Sequence, residues 1–233
     1  MRISAITASA VAFFGMATVG VASTLDVGNY GPCLGSASCT VGGFEVTANP
    51  AGAVLSEQDF RGLSGLGVDG PTDGSGSRDN EIQPYLSEFI DVSLTGFGDD
   101  GIGISEIVLG HLYNPDEFSS DPIEIATINA TLFDDTLSVI TISSDNNNPL
   151  GFSFLGDANV TRTSTFQGRF VITDLFSGQA VKELRFSGNN APFGNDGTDY
   201  SLVSISVVPL PAAGWMLIAG IGGLAAMKRR KKS

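Results

Sequence analysis

Residues 123–142 read IEIATINATLFDDTLSVITI. Three short runs inside this stretch, 123–125, 128–133 and 137–142, alternate apolar with polar residues and are rich in Ile, Val and Thr. A period of two carried by β-branched side chains marks a half-buried strand, not a helix. Similar runs recur about every ten residues on either side, which is the spacing of an all-β domain. They fall at 44–46, 89–94 and 104–109 before it, and at 152–154, 166–172, 181–186 and 200–207 after it. Turn-forming sequences lie between them: Gly98-Asp99-Asp100-Gly101, Asn114-Pro115-Asp116, residues 145–149 and Asn195-Asp196-Gly197. From 24 to 207 no window of about eleven residues sustains a 3.6-residue period. The sequence therefore predicts an all-β domain, an antiparallel β-sandwich of the jelly-roll kind. Residues 56–80, which run into Gly70-Pro71-Thr72-Asp73-Gly74-Ser75-Gly76-Ser77, predict a long flexible loop with a short strand over 63–68.

Charge sets the next limit. The segment 24–207 holds 6 bases against 25 acids, a net charge of −19, while the whole chain carries −13. A nucleic-acid binder needs a basic face to displace counterions from phosphates, so that class is excluded. The segment is long enough for one domain with a sizeable core and too short for two large ones.

The two ends have a different character. Residues 1–23 read MRISAITASAVAFFGMATVGVAS: a positive charge at Arg2, an apolar run over 5–21, and small residues at Gly20, Ala22 and Ser23. This is the three-part layout of a secretory signal, with cleavage by signal peptidase expected near Ala22 or Ser23. At the other end, residues 212–227 are uncharged and mostly apolar, and Lys228, Arg229, Arg230, Lys231 and Lys232 follow. Sixteen residues at roughly 1.5 Å each give about 24 Å, a short membrane span that Trp215 at one interface and snorkelling cations at the other extend. The positive cluster stays cytoplasmic, so everything upstream lies across the membrane. Pro209 and Pro211 hold the backbone extended just before the span.

The order of short motif, apolar helix and basic tail over 208–233 resembles the PEP-CTERM class of bacterial sorting signals. Val208-Pro209-Leu210-Pro211-Ala212 matches its VPLPA variant letter for letter. The resemblance implies recognition by an exosortase, a membrane-embedded cysteine-dependent processing enzyme, with cleavage or transfer near the motif. It also implies a Gram-negative host that exports polysaccharide, and a protein carried through the inner membrane to the surface or outside. Further upstream, Gly65-Leu66-Gly67-Val68 through Asn80-Glu81-Ile82, with Thr198-Asp199-Tyr200-Ser201-Leu202, is similar in layout to ectodomains found ahead of such tails. That second resemblance implies no ligand.

Little in the ectodomain reads as catalysis. The sole histidine, His111, follows a strand and fits a solvated or hydrogen-bonded loop residue. No nucleophile elbow, zinc-binding helix or phosphate loop is present. Glu81, Glu88, Asp91 and Glu106 are available as a glycosidase pair, but acids are frequent enough that such a pair arises by chance. The expectation is a non-catalytic surface or matrix component associated with exopolysaccharide. The alternative is a lectin-like carbohydrate-binding module, with a secreted hydrolase behind it. Sugar rings stack on exposed aromatics, and Tyr30, Tyr85, Tyr113 and Tyr200 are the candidates, the thirteen Phe residues of the segment being read mainly as core. Cys33 and Cys39, with five residues between them, predict a disulfide in an exported chain. No cofactor is expected beyond a structural Ca²⁺, for which three acidic loops qualify: Asp69/Asp73/Asp79, Asp99/Asp100 and Asp196/Asp199.

Overall fold

The computed structural model describes residues 22–70, 80–83, 87–98, 101–113, 123–144, 151–188 and 199–208. These residues form fourteen strands and no α-helix. They are β1 (Ser23–Asp26), β2 (Ser38–Val41), β3 (Phe44–Asn49), β4 (Val54–Phe60), β5 (Leu63–Asp69), β6 (Phe89–Ser93) and β7 (Ile102–Gly110). The rest are β8 (Ile125–Leu132), β9 (Leu137–Ser144), β10 (Phe152–Leu155), β11 (Asn159–Ser164), β12 (Arg169–Thr173), β13 (Ala180–Gly188) and β14 (Ser201–Val208). Every pairing between them is antiparallel.

The ladders divide into two runs. One goes β10-β9-β8-β13-β6-β3-β2, and the other goes β11-β12-β7-β14, whose far edge is shared by β1 and by the β5–β4 hairpin. They meet at one corner, where Ala180 and Val181 pair with Gly103 and Ile102 before β13 turns to β6. A bulge between Val181 and Glu183 makes that turn, because an unpaired extra residue bends its strand and raises its twist. Gly101 allows the close approach: a Cβ there would lie 2.8 Å from the Val181 carbonyl oxygen, and its φ is +72°.

Period two decides which face is buried. In β8, Ala126, Ile128, Ala130 and Leu132 point inward, and so do Ile90 and Val92 of β6 and Phe170 and Ile172 of β12. Both runs contribute to one continuous core, with Phe44, Phe170 and Phe186 fully enclosed. Burial of each such ring stabilises the fold by roughly 1.5–3 kcal/mol.

The expected loop at 56–80 is in part a hairpin. β4 and β5 pair from Val54↔Asp69 to Phe60↔Leu63, and Arg61 and Gly62 take positive φ of 54° and 72° in the two-residue turn. The runs at 123–125 and 128–133 belong largely to one strand, β8, and the run at 166–172 begins in the turn between β11 and β12. β1, β2, β4 and β11 were not among the expected runs. The expected signal segment to residue 21, the expected span 212–227 and the basic residues after it lie outside the described residues; among those described, no helix is long and apolar enough to cross a membrane.

Candidate functional site

The outward side of the first run carries a cleft of about 640 Å³. In β13 the inward Leu184 and Phe186 alternate with Glu183, Arg185 and Ser187, which therefore share the outer face. Register places Arg185 between Asp91 of β6 and Asn129 of β8, and Glu183 between Ser93 and Thr131. Arg185 holds Asp91 through both arms of its guanidinium, Nε to Oδ1 at 2.7 Å and Nη2 to Oδ2 at 3.0 Å. Asn49 Nδ2 donates to the same carboxylate at 3.3 Å, and the guanidinium lies 4.3 Å from the centre of the Phe89 ring. Bonding to Asp91 raises the Arg185 pKa, and the two-point contact fixes the guanidinium in place. Asn129 Nδ2 donates to Ser187 Oγ at 3.5 Å. Thr131 and Leu137 complete one wall, and Ser87, Glu88 and Gly188 one end.

A second polar cluster is buried where β5, β7 and β14 meet. His111, at φ 61°, is fully enclosed. Its Nε2 faces the Leu63 carbonyl at 3.1 Å, an acceptor only, so Nε2 carries the proton. Nδ1 then accepts from Ser201 Oγ at 2.8 Å. Burial pushes the His111 pKa down, against the opposing pull of the Phe60 and Leu63 carbonyls. The distance is that of a nucleophile–base pair, but both residues are at 0 % exposure and the imidazole is oriented by a carbonyl. The arrangement ties strands together. Glu81 lies 3.5 Å from Nδ1. Nearby, the Glu124 carboxylate accepts the Tyr113 amide, and its pKa is pushed well up by burial and by Asp199, to which it is hydrogen-bonded.

The residues singled out in the sequence are distributed as follows. Cys33 and Cys39 form the expected disulfide. Val208 is the last residue of β14; Pro209, Leu210, Pro211 and Ala212 lie outside the described residues, as do Lys228 to Lys232. Of the calcium candidates, Asp69 ends β5 and Asp199 faces Glu124, while Asp73, Asp79, Asp99, Asp100 and Asp196 lie outside. Among the described residues no three His, Cys, Asp or Glu side chains are grouped to hold a metal. Glu81 and Glu88 are buried, and Asp91 is committed to Arg185.

The tyrosine candidates do not lie open. Tyr30, Tyr113 and Tyr200 are buried and Tyr85 lies outside the described residues; Phe44, Phe152, Phe170, Phe176 and Phe186 are core as expected, and the exposed rings among the described residues are Phe60, Phe133, Phe154 and Phe166. Tyrosine buries well where its hydroxyl finds a partner, as Tyr200 does on the Ser187 carbonyl at 2.7 Å. The sequence reading also missed Asn129, Arg185 and Ser187. Their signal is the polar half of the alternation in β8 and β13, which marks an outer face without saying which strands share it.

No protein-family model, curated protein or solved structure matches this chain.

Proposed function

We propose that this chain is an exported precursor sorted by an exosortase in a Gram-negative bacterium, and that its mature form is a non-catalytic surface or matrix component associated with exopolysaccharide. The observation that carries this reading is the order Val208-Pro209-Leu210-Pro211-Ala212, apolar span, basic cluster over 208–232. An N-terminal segment with a signal-peptide layout supports it, and the five cations directly after the span favour a single orientation across the membrane. We read the fold as a jelly-roll-like sandwich, supported by two antiparallel runs that share one core. Signal peptidase and exosortase are the partners in export, and the span over 212–227 is the membrane contact before processing.

A second reading, a carbohydrate-binding module, is favoured by the cleft, whose fixed polar side chains and partly open aromatic ring suit a polyhydroxylated ligand. A hydrolase has less support, because of the candidate carboxylates Glu81 and Glu88 are buried and Asp91 is paired with Arg185, which leaves Glu106 of β7 as the remaining one.

The test is expression in an exosortase-bearing strain and in the same strain lacking the exosortase. Ectodomain in the extracellular fraction of the first, and retained in the membrane of the second, is the expected result. Equal distribution in both strains would remove the sorting reading.

A further inference from the structure

We propose that the cleft over β6, β13 and β8 binds the chain of a neutral glycan; this rests on the carbohydrate-binding reading and gives it a site and a ligand class. The ligand class follows from what the cleft offers. Its floor is a sheet face whose backbone groups are used in the ladders, so a ligand meets side chains alone. A peptide would find no free strand edge there. The ionisable groups lining the cleft are Glu88, Glu183 and Arg185, and Asp91 beside it holds the guanidinium, which makes three carboxylates against one cation. Two nitrogens of that guanidinium, Nε and Nη2, are already on Asp91. An anion would meet net negative charge and a guanidinium already engaged with a carboxylate, so phosphate, sulfate and uronate chains are disfavoured.

What remains is a set of neutral or neutralised donors and acceptors held in place. Asn129, Thr131 and Ser187 present amide and hydroxyl groups, and the Asn49–Asp91–Arg185 network fixes its own orientation. Neighbouring strands are about 4.8 Å apart, close to the length of one sugar unit, so a glycan crossing the strands meets a fresh side chain at each unit. Sugar rings also carry an apolar face. Phe89, pinned by the Arg185 cation, and Leu137, 75 % exposed at the rim, supply apolar surface at opposite sides of the cleft. Ordered polar groups flanked by apolar contact are what a weakly hydrophobic polyol needs, and holding them beforehand lowers the entropic cost of binding.

The experiment uses the full chain in a detergent without a sugar headgroup. Titration calorimetry is run with β-1,4-glucohexaose, β-1,3-glucohexaose and mannohexaose, with polygalacturonate as the anionic probe. Binding of at least one neutral probe, weakened tenfold or more in Asn129→Ala and in Ser187→Ala, is the expected result. Both substitutions lie on the outer face, and unchanged melting temperatures show that the fold is kept; Arg185→Lys, which keeps the charge but loses the two-armed contact, is expected to weaken binding as well. Failure of all three neutral probes would overturn the proposal, as would binding that the variants leave unchanged, or tighter binding of polygalacturonate. None of these outcomes bears on sorting by exosortase, which is read from the location of the processed chain.

Discussion

Ser23 is the register partner of Val207, so the first strand of the described domain lies antiparallel to the last. The residue expected beside the signal-peptidase cut and the residue before the sorting motif are thereby held across one ladder. β1 also places Leu25 in the core at 1 % exposure. N-terminal sequencing of the mature protein is expected to find Ser23 or Thr24 first. A start beyond Leu25 would contradict this, because it would delete a core side chain. Leu25→Ala is expected to cost about 2–5 kcal/mol by urea denaturation.

The buried acid Glu124 and the buried base His111 pull stability in opposite directions with pH. Native His111 titrates below the ordinary 6.5. Under about pH 6.5 the unfolded chain takes up a proton that the native state refuses, and that contribution to stability falls on acidification. Native Glu124 keeps its proton well above the ordinary 4.5; its contribution is complete below that pH and is lost as the pH rises. Glu124→Gln fixes the uncharged form and still offers the Tyr113 amide an acceptor. Its melting temperature is expected to exceed the native one by more at about pH 8 than at about pH 4. The same difference at both would show that Glu124 is ionised in the fold.

Gly67 has no room for a side chain. A Cβ there would lie 1.9 Å from the Asn80 carbonyl oxygen, because residues 80–82 run over β5 and bond it through the Val68 amide and the Glu81 carbonyl. Gly67→Ala is expected to destabilise by roughly 1–3 kcal/mol, whereas Gly31→Ala, where nothing lies within 4 Å, is expected to stay within about 0.5 kcal/mol. Equal effects in thermal melts would mean that the 80–82 segment does not pack there in solution.

Gly65, Gly67, residues 80–82 and Tyr200 were visible in the sequence only as a layout, and the fold shows its physical basis. Ile82 pairs with Tyr200, and Ser201 fills the space over Gly65. β8 was legible because every second residue is buried, so composition and burial agree. β4 was not, because among its seven residues only Leu55 is buried. β11 was not either, since none of its residues is buried. Edge strands escape a reading based on alternation for this reason. The cleft depends on β13 lying between β6 and β8, strands distant in sequence, and on a bulge that steers it there. No local pattern encodes that neighbourhood.

The Cys33–Cys39 bridge ties a loop that also bonds β4, through Gly35 N–H to the Leu55 carbonyl and Leu55 N–H to the Ser36 carbonyl. Closing so short a loop contributes roughly 2–3 kcal/mol in the chain-entropy model. Cys33 is itself buried, so Cys39→Ser, at the half-exposed partner, is the cleaner probe. Urea unfolding is expected to shift by about that amount in the variant. The native protein is expected to have an intact mass two hydrogens below its reduced form. Full labelling by a thiol reagent without reductant would show the bridge absent from the exported protein.

The proposed sorting motif begins at the last residue of β14. Val208 pairs with Gly103 and is 40 % exposed, and Pro209 has no amide proton with which to continue a ladder. A protease requires extended, unpaired backbone, and two prolines within 209–211 disfavour both the helix and the strand that would hide it. The two parts of the tail therefore have separable roles. Pro209→Ala with Pro211→Ala is expected to block processing while leaving export intact, because the signal and the span are untouched. Deleting residues 228–232 is expected to disturb orientation or retention, because on the proposed topology those five cations are what retains the tail on the cytoplasmic side. Mass spectrometry of surface-localised protein from an exosortase-bearing strain separates the alternatives. Peptides ending near Val208–Ala212 are expected, and recovery of peptides spanning Trp215 to Met227 would show that the tail is a permanent anchor instead of a signal that is removed.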